Sequence, residues 1–167
     1  MSFRVPFADL PDESPVKNNL VRTTFNNPDL HRGFASLAYR VHAASHLSQA
    51  VREYAVLRTA AKLGATYQWA NHVPVARDAG LTDKEIAALR DRDLDALTPE
   101  QARIARFAEA VEERAVDDAL WAEMSAHYST VELLDLTMLV AFYGLAGRVA
   151  LALDVPLDPN REGFDVP

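Results

Sequence analysis

Apolar residues recur at spacings of three and four along most of the chain, the period that places them on one face of an α-helix. The first such segment follows Asn27 and Pro28, a capping residue and a proline at the first helical position, and predicts a helix over residues 28–44. A second predicted helix begins after Ser48 and ends at Gly64. No stretch alternates polar and apolar residues over a strand length between hairpin turns. The pattern therefore predicts an all-α domain of roughly six to eight helices.

Capping residues predict the remaining helices. A third helix is expected over residues 66–79, with Thr66 as its candidate cap and Pro74 as a source of a kink, since proline removes one amide donor. Three capping boxes open the later helices, near 82–91, near 98–115 and from 129 through 154. The paired residues are Thr82 with Glu85, Thr98 with Gln101 and Ser129 with Glu132. A helix near 117–127 is expected between the last two.

The two ends of the chain lack this helical period. Residues 1–26 are punctuated by prolines and predict an extended N-terminal arm lying on a surface, of the kind that packs across a neighbouring subunit. Residues 157–167 are rich in Pro, Asp and Gly and predict a surface or disordered tail. Residues 27–156 are expected to form one helical domain, as the total of 167 residues also favours.

Composition excludes several classes of function. The formal net charge is -7 with no basic run, so neither nucleic acid nor an anionic membrane is an expected partner. The longest uncharged apolar run, residues 136–147, is shorter than the roughly 20 residues of a membrane-spanning helix. Residues 1–7 do not resemble a secretory signal, and a cytoplasmic location is expected. The chain contains no cysteine, which excludes disulfides, zinc–thiolate sites and thiol nucleophiles.

Among the five histidines, His72 has the most informative neighbours. It follows Gln68 by four residues and Ala65 by seven, so these side chains share one face of the third helix. The surrounding run of residues 67–73 mixes aromatic and polar groups, as small-molecule pockets do. The alternative is a structural histidine that is hydrogen-bonded in the core. His42 and His46 have a metal-compatible spacing, but no third ligand follows them, so no metal site is predicted.

Glu53 lies in an otherwise apolar part of the second helix. If the second and third helices form an antiparallel hairpin across Gly64, Glu53 lies about 11 residues before the turn and His72 about 8 after it. The offset along the axis is then about 4–5 Å, which side chains can span. The alternative is that Glu53 pairs with Arg52, Arg58 or a helix amino terminus in a structural role.

Taken in order, these segments resemble the carboxymuconolactone decarboxylase and alkylhydroperoxidase D superfamily. The resemblance rests on Arg52 and Glu53, the run of residues 64–74, the run 79–82 and the late apolar helix before Pro156. The peroxidase branch of that family uses a Glu, two cysteines separated by two residues, and a His four residues beyond the second. Matching the spacing places Glu53 and His72 at the Glu and His positions, and Ala65 and Gln68 at the two cysteines. Thiol peroxidase activity is therefore not expected, since no other side chain replaces that thiol pair.

The resemblance implies an AhpD-like all-helical fold assembled as a homotrimer or homohexamer. It also implies a lyase or isomerase that needs neither cofactor nor metal and acts on a small carboxylated or lactone substrate. In this hypothesis His72 is the acid/base, and Glu53 orients it or holds its proton. Gln68 or Tyr67 donates a hydrogen bond to the substrate, and Trp69 is the third predicted binding residue.

Two points stay open at the level of sequence. Arg58, Arg77 and Arg148 are the candidates for a cation that grips a substrate carboxylate. The alternative to an enzyme is a non-catalytic oligomeric binding or scaffold protein of the same fold. In that case Tyr67 or Trp69 is expected to fill the space in which an enzyme would have an open pocket next to Glu53 and His72.

Overall fold

The computed structural model describes residues 4–161, and this part of the chain contains eight α-helices, one 3-10 turn and no strand. The prediction of an all-α fold is confirmed. In chain order the helices are α1 Asn19–Thr24, α2 Pro28–Ala43, α3 Gln49–Leu63, α4 Thr66–Asp78, α5 Asp83–Asp91, α6 Pro99–Glu113, α7 Asp118–Ser125 and α8 Thr130–Leu153. The 3-10 turn, Leu94–Ala96, lies between α5 and α6.

Helix α3 is the centre of the domain. It packs against α4, α5, α6 and α8, and every residue from Glu53 through Ala60 is buried. A helix that is covered on all sides is normally apolar all round. The buried stretch of α3 nevertheless carries Glu53, Arg58 and Thr59, so its charged side chains must find partners inside the protein.

Local capping defines most helix ends as the sequence predicts. The side chains of Ser48, Thr82, Thr98 and Ser129 each accept a hydrogen bond from the third residue beyond them. Gly64 ends α3 in the left-handed region, with φ of 62°. The prediction of Thr66 as a cap is wrong: Thr66 is the first helical residue of α4, and the preceding Ala65 has no side chain that can cap. Helix α4 continues through Pro74.

The segment predicted as an extended arm folds back on its own chain. The prediction is wrong for residues 19–24, which form α1, because Asn18 accepts a hydrogen bond from the amide of Val21 and caps the helix. The Ala8 amide donates to the carbonyl of Arg22, and the guanidinium of Arg22 lies 4.4 Å from the centroid of the Phe7 ring. Residues 1–3 of the predicted arm lie outside the described residues.

The predicted C-terminal tail is anchored over its described part. Asp158 is buried and accepts hydrogen bonds from the Asn19 amide at 2.7 Å and from the Tyr67 hydroxyl at 2.8 Å. The Asn19 side-chain amide donates to the carbonyls of Pro156 and Leu157. The expectation of a surface or disordered tail therefore does not hold at Asp158, which joins α1 to α4. Residues 162–167 of the predicted tail lie outside the described residues.

Helix α8 is long and apolar enough, by length and composition, to cross a membrane. Half of its most apolar stretch is buried inside the domain, where it packs on α2, α3, α4, α6 and α7. This burial is the pattern of a core helix.

The start of α5 is expected to make folding sensitive to acid. Burial opposes the charge on Glu85, but hydrogen bonds from Thr82, Tyr54 and Gln101 outweigh it and lower the pKa of Glu85 from 4.5 to about 2. A lowered folded-state pKa means that the stabilisation is complete above about pH 5 and is lost as the pH falls towards 2. Urea unfolding is expected to show Glu85→Gln about 1 kcal/mol less stable than wild type at pH 7. The difference should shrink at pH 3, and a constant difference would contradict this assignment.

Candidate active site

His72 and Glu53 meet in the middle of the domain. The Nδ1 atom of His72 lies 2.8 Å from Oε2 of Glu53, across the packed pair of α4 and α3. Glu53 is 1 % exposed, so this carboxylate has little access to water. Two partners considered for a structural Glu53 are bonded elsewhere, because Arg58 pairs with Glu109 and the guanidinium of Arg52 donates to the carbonyl of Leu47.

This contact selects one tautomer of the imidazole. A carboxylate only accepts hydrogen bonds, so Nδ1 of His72 carries the hydrogen and donates it to Glu53. In the neutral ring, Nε2 is then an acceptor and is available as a base. Among the described residues, Nε2 has no hydrogen-bond partner. The arrangement is that of a base held in place by a buried carboxylate.

His72 forms part of the wall of a partly enclosed cavity of about 510 Å³. Helices α1, α2, α4 and α8 contribute its mostly apolar walls, and the segment before α1 covers part of it. The apolar side chains include Leu20, Phe25, Phe34, Phe142 and Ala146. None of the described residues that line the cavity is Lys, Arg, Asp or Glu. The cavity has the size and apolar character of a site for a small, neutral organic molecule.

Gln68 also lines the cavity, one helical turn before His72. This residue is only 4 % exposed, and neither polar atom of its side-chain amide has a hydrogen-bond partner within the described residues. An unpaired buried amide costs about 1–3 kcal/mol. Such a group beside a cavity is typical of a site where a ligand supplies the missing hydrogen bonds.

The unpaired amide predicts a stabilising substitution. Gln68→Met replaces the amide by an apolar group of similar length and is expected to raise the free energy of unfolding by about 1 kcal/mol in the absence of ligand. The matched control is Gln101→Met, because the Gln101 amide donates to Tyr54 and Glu85 and its loss should destabilise the protein. Urea unfolding of the two variants measures both effects. A Gln68→Met protein that is less stable than wild type would contradict the assignment of an unpaired amide.

The other two predicted binding residues have different surroundings. The Tyr67 ring lines the cavity, but its hydroxyl donates to Asp158 and accepts from the Leu20 amide, so it is occupied in structural hydrogen bonds. Trp69 is 1 % exposed and packs in the main core rather than against the cavity. The prediction of Trp69 as a binding residue places it on the wrong face, because one residue turns a helix by about 100° away from Gln68. Neither aromatic ring closes the space beside His72.

A second polar pair in the site was not predicted. His42 Nε2 lies 2.7 Å from the hydroxyl oxygen of Tyr143, which joins α2 to α8. The Tyr143 ring packs edge-on against His72 with ring centroids 4.7 Å apart, and the two imidazoles are nearly parallel at 6.5 Å. Burial, together with the nearby His72, lowers the pKa of His42, and burial raises the pKa of Tyr143. The pair is 101 residues apart in sequence, so no local pattern indicates it.

The arginines considered for a substrate carboxylate are engaged elsewhere. Arg58 is buried and pairs with Glu109, Arg77 pairs with Asp83, and Arg148 pairs with Glu112. None of the three lines the cavity, which corrects their candidacy as carboxylate-binding groups. These arginines cannot bind a substrate carboxylate in the cavity, because each pairs with an acidic side chain of α5 or α6. Neither of these two helices lines the cavity.

The remaining histidines do not gather into a metal site. His46 lies beyond the end of α2 and pairs with Asp135, while His42 contacts Tyr143. The two imidazoles therefore do not point at a common metal position, despite their spacing in sequence. His31 bonds the Thr24 hydroxyl. No group of three or more His, Asp or Glu side chains in the described part of the chain is arranged to hold a metal ion.

Comparison with solved structures identifies the fold as AhpD-like. An AhpD-core, peroxidase-related protein from Ralstonia eutropha JMP134 matches with a TM-score of 0.81 and 21 % identity, over 95 % of this chain and 94 % of that one. A peroxidase-related protein from Silicibacter sp. TM1040 matches with a TM-score of 0.79 and 17 % identity, over 95 % of each chain. The debrominase Bmp8, in complex with 2,3,4-tribromopyrrole, matches with a TM-score of 0.73 and 20 % identity, over 87 % of this chain and 80 % of that one.

The sequence leads to the same assignment. The model of the carboxymuconolactone decarboxylase family matches residues 28–110, which contain both Glu53 and His72. The family match and the structural neighbours support an assignment to the carboxymuconolactone decarboxylase and AhpD-like superfamily. No curated protein matches it. The peroxidase names of its structural neighbours do not carry over as a mechanism, because the chain has no cysteine.

Proposed function

We propose that this protein is a cofactor-independent lyase or isomerase that moves a proton in a small lactone or related carbonyl compound. The observation that carries the proposal is the position of His72, in the wall of an open apolar cavity with its Nδ1 hydrogen bonded to the buried Glu53. A base of this kind, next to an apolar cavity, is suited to removing a hydrogen from carbon beside a carbonyl.

The proposed reaction begins with His72. Its Nε2 accepts the proton from the carbon, and the electrons of the C–H bond pass into the adjacent C–C bond and onto the carbonyl oxygen. Glu53 stabilises the imidazolium that results, because the carboxylate lies 2.8 Å from the ring. The imidazolium then returns the proton to carbon. In a lyase the same enolate would arise when a carboxylated substrate loses carbon dioxide, and His72, after taking a proton from water at Nε2, would deliver that proton to carbon.

The lining of the cavity favours a neutral lactone over a carboxylated substrate. None of the described lining residues is a lysine or arginine, and burying an unpaired carboxylate among apolar side chains is strongly unfavourable. Gln68 lines the same wall, and its unpaired amide would reach the carbonyl oxygen of a lactone if this buried side chain turned towards the cavity.

Deuterium exchange tests the proposal whatever the final product of the reaction is. The protein is incubated in D₂O with a panel of small lactones and cyclic ketones, each with and without a carboxyl group, and deuterium at carbon is followed by NMR together with loss of carbon dioxide. We expect exchange beside the carbonyl of a neutral panel member. Binding in the cavity without exchange or decarboxylation for any compound would overturn the enzymatic proposal and favour a binding protein.

We also propose that the protein is a homotrimer or homohexamer that associates through α8. One side of this helix exposes apolar residues at helical spacing, and such a stripe is unusual on a monomer. The exposed residues of this stripe are Val131, Leu134, Met138 and Leu145. A symmetric assembly would cover the stripe with the same helix of a second copy or with another apolar surface of the oligomer.

Light scattering is expected to give the mass of a trimer or hexamer for the wild-type chain. The double variant Leu134→Glu/Met138→Glu should reduce that mass, because it places charges in the buried interface. Leu30→Glu, at an exposed apolar position of α2, is the matched control and should leave the mass unchanged. A wild-type mass equal to that of one chain would contradict the proposal.

A further inference from the structure

We propose that Tyr143 is a second catalytic residue of this site, whose hydroxyl donates a hydrogen bond to the substrate oxygen that becomes negative, and that His42 is the residue that positions this hydroxyl. The inference rests on the proposed function and adds a group that has no role in it so far. The contacts that Tyr143 makes with the cavity, with His72 and with His42 carry it.

Tyr143 has the right place for this role. Its side chain lines the same cavity as His72, and the centroids of the two rings are 4.7 Å apart at an interplanar angle of 85°. A ligand in the cavity that reaches Nε2 of His72 is therefore also next to Tyr143. A carbonyl compound needs both groups at once, since the base removes a proton at carbon while the oxygen one bond away gains charge.

Tyr143 also has the right state of protonation. Burial raises its pKa, and the negative charge of Glu53 raises it further, so the hydroxyl keeps its hydrogen at neutral pH. A protonated phenol is a hydrogen-bond donor that can face a developing oxyanion. Among the described residues lining the cavity there is no cation to stabilise that oxygen, so a neutral donor has to do so.

His42 explains how the hydroxyl is held. Its Nε2 lies 2.7 Å from the Tyr143 oxygen. Burial lowers the pKa of His42, and the nearby His72 lowers it further, so the His42 ring is neutral at pH 7. When Nε2 carries the hydrogen of the neutral ring, it donates to the Tyr143 oxygen and leaves the phenolic hydrogen free for the substrate. His42 does not line the cavity, and it acts through Tyr143.

The reaction balances with these groups. His72 Nε2 takes the proton from carbon, the C–H electron pair forms the enolate, and the enolate oxygen accepts the hydrogen bond from Tyr143. The phenolic hydrogen stays on Tyr143 throughout, and the imidazolium of His72 returns the proton to carbon. Neither an oxidant nor a reductant takes part.

The test uses 4-nitrophenol, whose ionised form presents an oxyanion to the cavity and is distinguished from the neutral form by its absorbance. Nitrobenzene, which has no such oxygen, is the matched ligand. Tyr143→Phe keeps the ring and removes only the hydroxyl. We expect it to weaken binding of ionised 4-nitrophenol by about 10- to 100-fold and to leave nitrobenzene binding unchanged. Equal weakening of both ligands, no weakening of either, or no binding of the ionised form by wild type would overturn the proposal.

The role of His42 is tested by the ratio of two affinities, that for ionised 4-nitrophenol and that for nitrobenzene. His42→Leu should lose much of the preference for the ionised form, and His42→Gln should regain part of it, because an amide N–H can replace the Nε2–H donor. A purely structural role would lower stability without changing this ratio, and identical ratios in the two variants would contradict positioning by His42.

Ligand binding needs no turnover, so the two proposals fail separately. Loss of the binding preference in Tyr143→Phe with no deuterium exchange in wild type would sink the enzymatic proposal alone. Exchange in wild type at the same rate as in Tyr143→Phe would sink the role of Tyr143 and leave the function of His72 intact.

Discussion

Replacement of Glu109 by alanine is expected to lower the free energy of unfolding by about 3–5 kcal/mol. Glu109 lies on α6 and accepts a hydrogen bond from Nε of the buried Arg58 at 2.7 Å. Arg92 approaches the same carboxylate from the surface, with contacts of 2.9 and 3.1 Å to its two oxygens. Removing the carboxylate leaves the guanidinium of Arg58 inside the protein with only backbone carbonyls as partners.

The size of this loss follows from the asymmetry of buried ion pairs. An intact pair adds little stability over an apolar pair of the same shape, because taking both charges out of water offsets their attraction. A single unpaired charge has no such compensation. The loss is a large share of the roughly 5–15 kcal/mol that stabilises a typical domain, and it corresponds to a decrease in Tm of about 6–20 °C.

The matched control replaces both partners. Arg58→Met/Glu109→Leu removes the charges together and is expected to lie close to wild type in stability or above it. Urea unfolding of Glu109→Ala, of the double variant and of wild type provides the comparison. A loss below about 1 kcal/mol in Glu109→Ala would mean that Arg58 reaches water or another partner, contrary to its 4 % exposure.

The sequence predicts the helices and the central contact of the site because both depend on local rules. Ser48 and Gly64 fix the ends of α3, and the residues between Glu53 and His72 then determine how far apart these two lie in an antiparallel hairpin. The observed distance of 2.8 Å agrees with the offset expected along the hairpin axis, which required only the rise per residue and the reach of two side chains.

The remainder of the site depends on contacts between distant parts of the chain. Tyr143 comes from α8 and His42 from α2, and no spacing rule relates positions so far apart. Asp158 is another such case, because a polar residue near a chain end has the local pattern of a solvent-exposed tail and is buried only by its contacts with Asn19 and Tyr67. The prediction of Trp69 as a binding residue fails for a different reason. Trp69 is next to Gln68 in sequence, but the two side chains lie on different faces of α4, and only Gln68 lines the cavity.

The substitution His72→Gln is expected to lower the rate of deuterium exchange, or of turnover once a substrate is known, by about 10²–10⁴-fold. The amide can still donate a hydrogen bond to Glu53, so the buried carboxylate keeps a partner and the protein should fold. What the variant lacks is a nitrogen that can accept a proton from carbon. The defect should therefore appear in the rate constant at saturating substrate, with substrate binding little changed.

Two further variants distinguish chemistry from general damage. His46→Gln alters an imidazole that pairs with Asp135 and does not line the cavity, so its rate should equal that of wild type. Glu53→Gln keeps a side chain of the same shape but removes the charge that stabilises the imidazolium, and it should slow exchange by at least about tenfold. If His72→Gln exchanges within a few-fold of wild type while it remains folded, His72 is not the base, and the hydrogen bond to Glu53 is a structural contact of the core.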